Sequence, residues 1–292
     1  MMKLQTPVTD EKNKVSISYK DKIMMLGSCF SDNIGQQMTD LGFDICINPF
    51  GTLYNPLSIL NSVEKLAYGY TFGEQDCIQI GAGDERWCSF SHHTSFARAD
   101  KDEFLENANH ALKDASEFFR SCNKVIITLG TSWYFRHNER EIAVSNCLKR
   151  HAGEFERKRL SASETAEALM KIHQICNSQD NGICKKEIIF TVSPIRHFKD
   201  GAHGNQLSKS ALLLGIDAIT GIYPSTDYFP AYEILMDELR DYRFYAEDMC
   251  HPTSQTVDYI RDRFLKWAMP ESEMVTLEEN ARKRRQAGHI IR

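Results

Sequence analysis

Lys22 to Phe30 reads KIMMLGSCF. Ile23, Met24, Met25 and Leu26 form a continuous apolar run, the pattern of a strand covered on both faces. Gly27 ends the run. Ser31 and Asp32 then offer an N-cap, and Ile34, Met38 and Leu41 recur at i, i+4, i+7 on one helical face. A buried strand, a tight turn and an amphipathic helix in this order predict a parallel α/β architecture, because the helix must cross back over a sheet to reach the next strand.

The rest of the chain repeats this rhythm. Phe43 to Ile47 is a second strand, followed by an Asn-, Pro- and Gly-rich loop, NPFGTLYNP, from Asn48 to Pro56. Leu57 to Leu66 is a short helix. Residues 70 to 100 carry Gly73, Gly81 and Gly83 between short alternating stretches, which suggests a β-hairpin excursion. Phe104, Ala108, Leu112, Ala115 and Phe119 mark an amphipathic helix, and KVIITL (Lys124 to Leu129) a buried strand. Residues 133 to 160 read as polar and irregular. Ser161 and Glu164 form a capping box for a helix carrying Leu169 and Ile172. Glu187 to Val192 is a further strand, 204 to 217 a helix, and Ala218 to Tyr223 a last short strand. Pro252 suits a first helical position, with Val257, Ile260 and Phe264 behind it. Glu271 to Gln286 is polar on all sides, acidic early and basic late, an order that suits the helix dipole.

In parallel sheets, ligands gather at the carboxyl ends of the strands. Four polar blocks fall there: Gly27-Ser28-Cys29, Gly51 within NPFGTLYNP, Gly130-Thr131-Ser132, and AEDMCHPT with Asp248 and His251 at i, i+3. A serine at a strand-to-helix turn plus a late Asp-x-x-His supplies a nucleophile, a base to take its proton and a carboxylate to orient that base. The helix after Ser28 aims free N–H groups at a developing oxyanion. Taken singly, a serine at such a turn is usually a cap and Asp-x-x-His a local pair.

Gly27-Ser28-Cys29-Phe30-Ser31 resembles the signature of the GSCFA family, a branch of the SGNH (GDSL-like) hydrolases. NPFGTLYNP, ITLGTSWYF, TVSPIRH and DMCHPT resemble further blocks of that family, from about residue 22 to residue 256. The resemblance implies a flavodoxin-like three-layer α/β/α fold, a mostly parallel sheet with inserted loop and β excursions, over residues 20–268. Residues 269–292 form a polar C-terminal helix or tail. It implies Ser28 as nucleophile, His251 as base and Asp248 as third triad member, acting on an O-acyl ester, with the N–H groups of Ser28 and Gly51 as oxyanion donors. The wider superfamily carries Gly-x-Asn where this chain has Gly130-Thr131-Ser132. The third donor is therefore Thr131 or Ser132, or an Asn reaching in from the other loop (Asn48 or Asn55), or catalysis is feeble. That last case is a glycan- or acyl-binding module on a hydrolase fold.

Other residues compete for roles. Cys29 is an alternative nucleophile, since a helix N-terminus lowers a thiol pKa, against the plainer reading of a small buried hydrophobe. His92 and His93 lack partner ligands at metal spacing and fit a rim or substrate-contact role. Arg196 and His197 follow a strand end, where Arg196 suits a substrate carboxylate or phosphate. Tyr54 and Trp133 lie on loops where a sugar ring can stack, which favours an acylated carbohydrate. Composition sets outer bounds. The 292 residues are 42% hydrophobic and 26% charged with net charge −5, ordinary for a globular protein. An acidic chain of this kind disfavours nucleic acid and anionic membranes as partners. No cofactor or metal is expected, and oligomeric state is open. Nine scattered cysteines, a polar N-terminus and no long apolar run fit a reduced, cytoplasmic protein.

Overall fold

The computed structural model describes residues 6–9, 12–178 and 183–290. Its first strand, β1 (Lys22–Gly27), is buried from Ile23 onward. Alternate residues serve two separate cores: Ile23 and Met25 join one, Met24 and Leu26 the other. That division follows from the two-residue period of a strand.

α1 (Cys29–Asp40) returns over the first face and buries Ile34 and Met38, with Leu41 as its C-cap. Each buried side chain of this size stabilises by about 1.5–3 kcal/mol. β2 (Asp44–Ile47) then pairs in parallel with β1, Met25 lying beside Ile47. α2 (Pro56–Tyr68), β3 (Ile78–Gln79), β4 (Trp87–Cys88) and α3 (Lys101–Ser121) follow. The expected hairpin excursion is the short antiparallel β3–β4 pair, extended by a bridge between Trp87 and Arg98.

β5 (Lys124–Leu129) lies on the other side of β1, with Gly27 opposite Thr128. Residues 133–160, expected to be irregular, instead build a second sheet. β6 (Trp133–His137) pairs antiparallel with β7 (Ala143–Val144) and β8 (Phe155–Arg159). The aromatic residues Trp133 and Phe135 of β6 lie beneath the arginines of β8, so cation–π contacts replace the apolar alternation that marks most strands. Arg157 lies over Trp133 at 4.4 Å. α4 (Ala162–Asn177) opens on the expected Ser161–Glu164 capping box.

β9 (Glu187–Val192), α5 (Gly201–Thr220) and β10 (Thr226–Phe229) complete the main sheet. The last strand is not at Ala218–Tyr223. α5 runs on into that stretch as far as Thr220, with Ile219 as its final buried contact, and the chain turns before entering the sheet. A single helical turn, α6 (Ala231–Glu233), leads into π-helical Ile234–Leu239. α7 (Ser254–Ala268) is capped by Thr253. Pro252 stands outside it, bridged to Tyr245. α8 (Met274–Ile290) is not polar all round: Met274, Leu277 and Ala281 pack against the α1–α7 core.

The main sheet has the order β10-β9-β5-β1-β2, all parallel. Helices α2–α5 cover one face, and α1, α7 and α8 the other. The protein is thus a flavodoxin-like three-layer α/β/α fold. The strand order reverses between β1 and β5, and the crevice at their carboxyl ends is the switch point where such sheets hold ligands. Among the described residues, no helix is long and apolar enough to cross a membrane.

Candidate active site

Ser28 stands at this switch point. Gly27 before it has φ 143°, and a Cβ there would lie 2.2 Å from the Thr128 carbonyl oxygen. Only glycine lets β1 and β5 approach this closely at their ends. Ser28 itself is the N-cap of α1, a role expected of Ser31 or Asp32, and its Oγ accepts from the Phe30 N–H at 3.4 Å. Its own N–H donates to the Thr128 carbonyl at 3.3 Å.

The loop after β2 folds over Ser28. Asn48 adopts φ 39°, accepts the Gly27 N–H at 2.8 Å and donates to Asp32 at 2.6 Å. Burial raises the Asp32 carboxyl above its usual range. Gly51 has φ 82°, and its missing Cβ makes room for His93, whose Cβ would lie only 2.3 Å away. The Gly51 N–H donates to Asn48 O at 2.7 Å. Asn55 does not reach toward Ser28. It caps α2, accepting the Ser58 N–H at 2.9 Å and donating to the Ser58 hydroxyl at 3.0 Å.

The block after β5 is equally engaged. The N–H groups of Gly130 and Thr131 both donate to Tyr54 O at 2.9 Å. Ser132 donates through its backbone to the Ser208 hydroxyl at 2.8 Å, and Thr131 Oγ1 lies 3.0 Å from the same oxygen. Beneath them sits Lys209, whose Nζ donates to the carbonyls of Gly130 and Ser193 at 2.7 Å each. It joins the ends of β5 and β9, and complete burial pushes its ammonium down to about 7. Sequence reading missed Lys209. Its signal was a lysine in register with the buried α5 face of Asn205, Ser208, Leu212 and Ile216.

The Asp248–His251 loop meets this edge through the segment after β9. Arg196 donates its N–H to Cys250 O at 3.1 Å. His251 Nδ1 lies 2.5 Å from an Asp248 oxygen, and the other oxygen accepts the N–H groups of Cys250 and His251 at 2.9 Å each. These bonds hold the Asp248 carboxyl down at about 2. Both side chains are about half exposed. Among the described residues, no hydrogen bond joins His251 to Ser28. His197 is drawn inward: its N–H donates to Asn205 at 3.0 Å, and its Nε2 is buried without a hydrogen-bond partner among the described residues. Burial, with the charge of Lys209, depresses it to about 4.

The remaining residues separate into core and rim. His92 is fully buried among Phe50, Phe72, Phe96 and Phe104, so it is not a rim residue. Its Nδ1 meets the Ser89 hydroxyl at 2.7 Å, and burial pushes the ring down to about 3. His93, on the opposite side of the chain, lies over Gly51 and near Asp32. The Cys29 thiol is raised, not lowered: desolvation and Asp32 outweigh the N–H groups of Cys29 and Phe30. That disfavours a thiolate at the helix N-terminus. Tyr54 is partly buried, its hydroxyl on Thr52. Trp133 packs within the second sheet beneath Arg157 and Arg159, and its Nε1 has no hydrogen-bond partner among the described residues. Arg157 is in turn ion-paired with buried Asp200, at the start of α5.

An acetyl xylan esterase, Est2A, from the rumen bacterium Butyrivibrio proteoclasticus shares 10% identity with the chain at a TM-score of 0.42. The alignment covers 86% of this chain and 64% of that one. No curated protein matches the chain. The GSCFA family model matches residues 22–264. The chain belongs to the GSCFA family.

Proposed function

We propose that the protein is a serine ester hydrolase acting on O-acyl esters, with acylated carbohydrate as the substrate class. Ser28 Oγ attacks the acyl carbon, and its proton passes to His251 Nε2 and then to the leaving alkoxide. Water, deprotonated by the same ring, then cleaves the acyl-enzyme. Asp248 holds the Nδ1 proton in place and stabilises the imidazolium. The observation that supports this most is the 2.5 Å Asp248–His251 pair, on a loop tied to the segment after β9.

A second reading has its own support. The N–H groups of Ser28 and Gly51 already have acceptors in Thr128 and Asn48, those of Gly130 and Thr131 in Tyr54 and that of Ser132 in Ser208, and the Thr131 and Ser132 hydroxyls also lie on the Ser208 hydroxyl. Asn55 is a helix cap. A missing oxyanion donor costs about 10²–10³ in rate, so this arrangement favours slow turnover or ligand binding without turnover.

One experiment separates the two. A fluorophosphonate probe is expected to label Ser28 in the intact protein, and p-nitrophenyl acetate hydrolysis is expected to fall by about 10³-fold or more in Ser28→Ala. Absence of labelling, with equal hydrolysis by both proteins, would reject the hydrolase and leave the binding module.

A further inference from the structure

Beside the His251 loop lies a pocket of about 450 Å³ that the triad does not use. This is within the range of small-molecule sites, about 300–1,000 Å³. Arg196, Arg240, Asp237, Tyr232, Tyr242 and Tyr245 are among its lining residues. Its connection to the candidate active site is direct. Arg196 is bonded to Cys250 O, Tyr245 is bridged to Pro252, and the Ala246 N–H donates to His251 O at 2.8 Å.

The guanidinium of Arg196 is held by its faces. It lies over Phe198 at 4.2 Å, Tyr245 at 5.2 Å and Tyr242 at 5.8 Å. Its edge has weak protein partners: a 3.5 Å contact to Met249 O and the Tyr245 hydroxyl region. Among the described residues it has no carboxylate partner, and neither has Arg240. Asp241, the second acid of the pocket wall, is taken by Arg243 at 2.9 Å. The pocket therefore presents two arginines against one unpaired acid, Asp237. A stacked guanidinium offers its in-plane N–H fork to a planar or tetrahedral oxyanion.

We propose that this pocket is an anion-reading subsite. It takes a carboxylate or phosphate carried on the alcohol side of the ester, with Arg196 as the specificity-determining residue and Tyr242 flanking the ligand. Its assignment to the alcohol side rests on the reading of His251 as the base; the anion binding itself does not.

The test is calorimetric titration of the full chain carrying Ser28→Ala with glucose, glucuronate and glucose 6-phosphate. At least one anion is expected to bind about tenfold or more tightly than glucose, and the two anions distinguish a carboxylate from a phosphate site. Arg196→Gln is expected to remove that advantage, and Arg196→Lys to restore part of it. Tyr242 is 67% exposed, so Tyr242→Ala probes the same pocket without disturbing the core, with a severalfold weaker anion expected. Equal affinity for glucose and both anions overturns the subsite, as does an anion advantage that survives Arg196→Gln. If Ser28 resists the fluorophosphonate while the anion advantage tracks Arg196, the hydrolase reading fails and the subsite stands. Labelling of Ser28 with no anion advantage gives the reverse.

Discussion

Asp248 uses one oxygen for two backbone N–H groups and the other for His251 Nδ1. Asp248→Asn keeps the first function, because an amide oxygen accepts the same N–H groups. It replaces the second acceptor with a donor facing Nδ1–H, which forces the imidazole into the wrong tautomer. The expected outcome is a loss of about 10³–10⁴ in kcat with an unchanged Tm. An equal loss of kcat and Tm would instead mark a structural turn. Gly27 gives the opposite signature. Gly27→Ala places a methyl 2.2 Å from Thr128 O at φ 143°, so a loss of about 3 kcal/mol or more is expected in urea unfolding.

Among the elements, α2 shows how a cap and a catalytic donor can be told apart. Asn55→Ala should cost about 1 kcal/mol of stability through the lost N-cap, with kcat per folded molecule unaltered; a large fall in kcat would return Asn55 to the oxyanion hole. The elements most legible in the sequence were those governed by burial periodicity. β1, β5 and β9 read directly as apolar runs, and α3 and α4 as amphipathic stripes with caps. The β6–β7–β8 sheet was illegible because Arg157 and Arg159 shield Trp133 by stacking, so its strands lack apolar alternation. The misplaced last strand has a different cause: Ile219 satisfies a helical stripe and a strand pattern equally, and only packing decides. At the site, the blocks carrying Ser28, Gly51 and Asp248–His251 were visible as polar punctuation at strand ends. Gly51 and His251 spend their N–H groups on Asn48 and Asp248 three residues away, but the Ser28–Thr128 bond was not visible, because it joins residues distant in sequence. Lys209 was hidden for the same reason.

At the scale of the molecule, Lys209 ties the ends of two central strands with a charge that has no carboxylate partner among the described residues. Its pKa falls to about 7 in the folded state, against about 10.4 in the unfolded chain. Between these values the unfolded chain binds the extra proton, so stability rises with pH through that window. Below about pH 7 both states hold the proton and the full cost of burying it remains. The Tm of the wild type relative to Lys209→Met is expected to climb between about pH 7 and about pH 10; parallel curves would show that Lys209 titrates normally. The same drying of the interior has a spectroscopic consequence. His92 and His197 are held at about 3 and about 4, so their imidazole resonances stay still between pH 5 and pH 8. A moving ring signal, or an inflection in a rate profile, within that interval therefore belongs to neither. His197, a close neighbour of the proposed base, is thereby removed from the titration.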